Sequence, residues 1–165
     1  MNLRPALVLA AALVLAGCRQ RVPTAHERAE AANDVSEANF ALTLKDWGRA
    51  EGLYAKATQL CPDEGDAWMS LGIVRMRMHD SGGARSAYKS ALSAYKDNLK
   101  ADPANTLFVI RRAYVLVLLG RADEARSAIA DGRSRYPEDR RLRTFVEARG
   151  LEKMMADPGL KDLVP

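Results

Sequence analysis

The chain has 165 residues, with 25 Lys or Arg against 21 Asp or Glu, a formal net charge of +4. That excess is too small for the electrostatic footprint of a nucleic-acid binder. Two His and two Cys, none at metal-ligand spacing, exclude a His/Cys metal centre. Ala, Leu, Arg and Glu, the best helix formers, are abundant, and alternating β-branched runs are absent, so an all-α chain without a sheet is expected.

In chain order, the first feature is the apolar run Pro5 to Ala16, flanked by Arg4 and by Arg19 and Arg21. It is too short to span a bilayer, which needs roughly 20 apolar residues, and has the length of a secretory signal core. It ends in Leu15-Ala16-Gly17-Cys18. These four residues resemble the lipobox of bacterial lipoproteins. The resemblance implies a signal peptide over 1–17, cleavage before Cys18, and a palmitate-type lipid anchor on Cys18. A multiply acylated terminus stays on its membrane, because each buried methylene contributes roughly 0.8 kcal/mol. Arg19, where an Asp would imply retention in the inner membrane, implies the outer membrane, facing the periplasm. An ordinary signal peptide cut nearby, or a signal anchor with an incidental Cys, are the bland alternatives. Cys61 is then left without a partner for an intramolecular disulfide and reads as a small buried hydrophobe rather than a reactive thiol.

Residues 18–30 form the anchor and a linker leading into the first helix. Thr24-Ala-His-Glu27 has the form of a capping box. Three segments further on share one pattern. An Ala is followed four residues later by a large side chain and then, three further on, by a small one: Ala50, Tyr54, Ala57; Ala84, Tyr88, Ala91; Ala125, Ile129, Gly132. Upstream of each lies another helical pattern, ending at Leu44, Met78 or Leu119. Turns are expected at Lys45-Asp46, His79-Asp80 and Gly120. The first interval, Ala50 to Ala84, is 34 residues and the second, Ala84 to Ala125, is 41. Seven extra residues are about two helical turns. A helix over 82–100 can therefore lengthen without rotating its apolar face, and is expected to project beyond its neighbours by roughly 10 Å. Asp102-Pro103 reads as the cap and first turn of the next helix. After Pro137, Leu142, Phe145 and Val146 form the apolar stripe of one more helix. Residues 156–165, with Gly159 and two prolines, are expected to be irregular. The count is seven helices.

The middle unit, Trp68-x-x-Leu71-Gly72 followed by Ala84-x-x-x-Tyr88, resembles the tetratricopeptide repeat (TPR), whose period is 34 residues. The resemblance covers about residues 31–155. It implies a helical-hairpin solenoid of about three repeats closed by a C-terminal capping helix. It implies that small residues Ala38, Gly72 and Ala113 in each helix A let helix B approach. It implies too that the concave groove is lined by Val35, Asn39 and Leu42; Met69, Ile73 and Met76; and Ile110, Tyr114 and Val117. Most of these are aliphatic or Met, so the groove suits an amphipathic helix or extended apolar segment of a protein partner. Some of them will instead pack as core. Asn39 and Arg111 fall where TPRs that clamp a carboxylate carry polar residues. Val35 and Leu107 stand where such clamps need Lys, which disfavours a clamp.

No catalytic residues are expected. His26 and His79 have no nearby Cys, and Asp63-Glu64 and Glu138-Asp139 fall at helix starts, where the helix dipole accounts for them. No cofactor is implied. The expected function is a membrane-anchored scaffold for protein–protein interaction in the cell envelope, such as assembly of an envelope or pilus complex. The alternative partner is an anionic cell-wall polymer or lipid headgroup, met by Arg133, Arg135, Arg140, Arg141, Arg143 and Arg149. A solvated helix face with internal pairs is the ordinary reading of such a cluster.

Overall fold

The computed structural model describes residues 22–165, so the apolar run and Cys18 lie outside the described residues. Among the described residues there are nine helices and no strand: α1 (Ala25–Thr43), α2 (Trp47–Leu60), α3 (Gly65–Arg77), α4 (Ser81–Ala101), α5 (Leu107–Leu118), α6 (Ala122–Arg135), α7 (Arg140–Glu147), α8 (Gly150–Ala156) and α9 (Pro158–Lys161). The first six form three antiparallel hairpins, and each helix packs on the next in sequence. This is the TPR-type helical solenoid.

The three hairpins share one turn. Each helix A ends in a residue with left-handed backbone: Lys45 (φ 56°), His79 (φ 62°) and Gly120 (φ 73°). At each, the left-handed residue's N–H bonds the carbonyl three back (Leu42, Met76, Val117), and the next N–H bonds the carbonyl five back (Ala41, Arg75, Leu116). These are Schellman closures, which satisfy the last carbonyls of the helix and reverse the chain. Asp46 and Asp80 then cap the following helices by accepting from the N–H groups of Arg49 and Gly83. Arg121 holds the third such position without a side-chain cap and pairs instead with Glu124 at 2.6 Å.

The repeating small residues do what close packing requires. Ala50, Ala57, Ala84, Ala91 and Ala125 are fully buried, as are Ala38 and Ala113 on the facing helices. At Gly72 a Cβ would lie 2.3 Å from the Tyr88 ring, so helix approach there depends on glycine. Thr24 and Glu27 form both bonds of the capping box.

Four expectations are corrected. The helix through 81–101 has the expected length, but its extra turns are not a free projection. Tyr95 is buried above Gly65, Asn98 donates to the Asp63 carbonyl, and Leu99 packs into the core of the third repeat. Helix α5 starts at Leu107, not at Pro103; residues 102–106 form turns first. The single capping helix is two. Arg149 takes a left-handed conformation (φ 53°) and breaks it, and Gly150 lies under the Phe145 ring. Residues 156–165 are not wholly irregular. They contain α9, and Leu163 within them is buried.

Candidate functional site

Helices α1, α3 and α5 present the groove face, and the structure divides it into two unlike halves. The upstream half lies between α1 and α3. It is an open cavity of about 330 Å³ whose apolar floor includes Ala31, Val35, Ala57, Cys61 and Ala67. Arg28, Glu64 and Asp66 stand among its lining residues. Arg28 is tied to Asp63 at 2.7 Å. Burial pushes the Glu64 carboxyl above its usual range, and the neighbouring Asp66 and Asp63 add to the shift. Cys61 is 2% exposed, and burial pushes its thiol up as well, so it stays protonated and apolar.

The downstream half lies between α3 and α5, with the start of α4 beneath. Met69, Tyr88, Tyr95, Val115, Leu118 and Leu119 form its buried core, with Ile73, Met76, Phe108 and Tyr114 packed against them. Leu163 belongs to that same buried cluster, and Leu160 packs against it. The chain's own C-terminal segment therefore sits in this half. The Tyr88 hydroxyl donates to the Leu163 carbonyl at 3.2 Å, and the Arg85 guanidinium donates to an oxygen of Pro165.

A polar cluster at the start of α3 links the halves, since Asp66 lines the upstream cavity and Tyr95 belongs to the downstream cluster. The Tyr95 hydroxyl donates to Asp66, and Arg111 Nε stands 3.4 Å from the same carboxylate. Arg111 thus spends its charge on Asp66 rather than lying free for a clamp. Burial, and then the bond to Asp66, push the Tyr95 hydroxyl far above the usual phenol range. In the upstream repeat Tyr54, the equivalent of Tyr88, donates to Asn39 Oδ1 at 2.6 Å.

Of the groove positions taken from the sequence, Asn39 is exposed and holds Tyr54. Ile73, Met76 and Tyr114 are half-buried, and Met69 is buried, all in the downstream cluster. Val117 is buried and Ile110 half-buried, both with the third-repeat cluster of Leu142 and Leu151, so Val117 is core and α8 shares its packing. Val35 and Leu42 pack into the first repeat. Sequence reasoning did not find Arg85 or the Tyr88 hydroxyl, both on a helix B. Nor did it find Leu160 and Leu163, whose one signal is their three-residue spacing within a Gly- and Pro-rich stretch. The arginine cluster is partly engaged: Arg133 donates to the Pro137 carbonyl, Arg141 to Asn105, and Arg143 stands 4.0 Å from Glu147. Among the described residues no group of His, Cys, Asp and Glu could hold a metal ion.

The repeat architecture and this groove define the class, a short TPR-type solenoid. In comparison with known families, residues 84–148 match the tetratricopeptide repeat. No curated protein matches the chain. Among solved structures, it is similar to the TPR2B domain of yeast Sti1 in complex with pHsp70. The two share 16% identity at a TM-score of 0.49, over 77% of this chain and 94% of that one. It is also similar to the first TPR of Spaghetti (RPAP3) bound to an HSP90 peptide, at 15% identity and a TM-score of 0.47, over 79% and 98% of the two chains. The Arabidopsis OM64 TPR domain is a third, at 17% identity and 0.45, over 77% and 98%.

Proposed function

We propose that this protein is a lipid-anchored scaffold of the bacterial cell envelope that docks a protein partner in its groove. The observation that carries the reading is the open, apolar-floored cavity between α1 and α3, rimmed by Arg28, Glu64 and Asp66. An apolar floor with a few charges at the edge suits a protein segment that buries side chains and fixes its register by polar contacts. The anchor is supported by Leu15-Ala16-Gly17-Cys18 at the end of a signal-length apolar run. No helix among the described residues is long and apolar enough to cross a membrane. In this reading lipidation at Cys18 holds the domain at the outer membrane.

Two measurements test this. A photo-crosslinking residue placed at Ala32, which is exposed and lines the cavity, should capture a defined protein in the native cell, and the same residue at Lys89 on α4 should not. Metabolic labelling with a palmitate analogue should mark the wild-type chain and not Cys18→Ser. Equal capture at both positions would remove the groove from the reading, and an unlabelled wild type would remove the anchor.

A further inference from the structure

We propose that residues 157–165 are an internal ligand of the downstream half-groove. We infer that the partner segment this half accepts is one helical turn presenting two aliphatic side chains three residues apart. The second statement rests on the scaffold reading for the existence of a partner; the first does not.

The segment reaches the groove because the capping helix is broken. Arg149 in left-handed geometry turns the chain from α7 into α8, and α8 packs along α5. The side chain of Asp157 then caps α9 by accepting from the Gly159 N–H at 2.8 Å. This short turn places Leu160 and Leu163 together in the cluster with Ile73, Met76 and Tyr114. These are the groove positions at which a TPR-type fold would meet a segment from another protein.

The attachment has the character of a bound peptide rather than of a repeat. Beyond the adjoining Asp157, it is Tyr88 and Arg85 that hydrogen-bond residues 158–165 to the domain. Both donate to main-chain oxygens. Specificity therefore falls on the two leucines, and Val164 adds one contact beside Gly120. The flanking Lys161 and Asp162 are exposed. A segment from elsewhere with the same Leu-x-x-Leu spacing could make the same contacts. It would have to displace a tethered competitor held at high local concentration, which lowers its apparent affinity by the fraction of chains whose groove is open.

The test uses the full chain and a fluorescein-labelled peptide of residues 157–165. Binding is read by anisotropy, with thermal melting followed by circular dichroism. Leu163→Asp should free the segment and raise affinity for the peptide at least tenfold over the unaltered chain. The peptide should raise the melting temperature of Leu163→Asp and leave the unaltered chain's unchanged. A peptide with both leucines replaced by Ser should bind neither chain. Equal binding to both chains, or no binding to a folded Leu163→Asp chain, would overturn the proposal. If Leu163→Asp does not fold, Leu163→Ala takes its place. Loss of the cooperative melt in that variant too would show the segment to be core, and would also overturn it. A dimer that becomes monomeric on Leu163→Asp would put the segment in a second copy's groove and refute the internal arrangement. Capture at Ala32 reads the upstream half alone, so the scaffold reading can stand while this proposal falls.

Discussion

The two halves of the groove are built from the same repeat and end in opposite states. In the first repeat, Tyr54 lies in a buried cluster and its hydroxyl meets Asn39 on α1. In the second, Tyr88 is buried in the equivalent way, but its hydroxyl meets the main chain of Leu163. The upstream half is left as a cavity, and the downstream half is filled by the chain itself. The lesson is that a solenoid's groove is a row of separate sites, each with its own occupant. Its apolar lining positions do not share one role, since Val117 is buried in the third-repeat core while Ile73 is half-buried against the cluster that includes Leu163.

The largest effect expected is where α3 meets α4. A Cβ at Gly72 would overlap the Tyr88 ring, and Tyr88 both packs the second repeat and holds the C-terminal segment. Gly72→Leu should cost about 3 kcal/mol through overpacking and release the segment as well. Denaturant melts give the first quantity, and faster amide exchange over 158–165 gives the second. A stability change under about 0.5 kcal/mol would mean that α3 and α4 are not packed through this glycine.

Next in size is a paired test of the contrast itself. Ile73→Glu places a charge in the filled half and should cost about 2 kcal/mol, from lost burial and a poorly solvated carboxylate. Ala32→Glu places the same charge at the open cavity and should stay within about 0.5 kcal/mol. Similar costs at the two positions, by chemical denaturation, would erase the difference between the halves.

What could be read from the sequence follows from how local each cause is. The Ala-large-small triplets, the three turns and the capping box are set by residues within one or two helical turns, and all three show in the pattern. The C-terminal arrangement depends on contacts between residues some 75 positions apart, as with Tyr88 and Leu163. Arg149-Gly150 shows why local rules mislead there. A glycine in a helical pattern suggests the left-handed stop, yet Arg149 takes that conformation, and Gly150 is small because Phe145 lies on it. At α5, Pro103 looked like a first-turn proline, but turns through 102–106 delay the helix to Leu107. Of the positions assigned to the groove, Met69, Ile73, Met76 and Tyr114 come together in one cluster, while Ile110 and Val117 pack with the third repeat. The occupant of one half was not legible, because a single three-residue spacing between two leucines is too short a pattern to place.

A smaller effect should appear in the route that brings the segment back. Asp139 caps α7 by accepting from the Leu142 N–H at 2.7 Å, and that bond is the main reason its carboxyl is held below the usual range. A depressed carboxyl pKa stabilises the fold above the unfolded value, about 4, and that stability is lost as pH falls through the folded value. Asp139→Ala should therefore cost about 1 kcal/mol at pH 7. The gap from wild type should close as the solution is acidified below the folded pKa. A gap that persists in acid would mean the loss comes from packing rather than from the cap.

The smallest expected effect is a gain, and it compares the turns that serve the two halves. Lys45 closes the upstream helix A and His79 the one between the halves, and both sit in the left-handed region that Gly120 occupies in the third repeat. A side chain with a Cβ is disfavoured there by roughly 1–2 kcal/mol, and glycine's greater freedom in the unfolded chain offsets part of the relief. Lys45→Gly and His79→Gly should each stabilise by about 0.5 kcal/mol, and by equal amounts, because their closing hydrogen bonds are the same. Gly120→Ala should lose about 1 kcal/mol for the reverse reason. Its Cβ would meet Val164 only at 3.5 Å, an ordinary contact, so the loss should survive release of the segment by Leu163→Asp. If Gly120→Ala becomes neutral in that background, the cost would come from the segment rather than from the turn, and the third turn would no longer be equivalent to the other two.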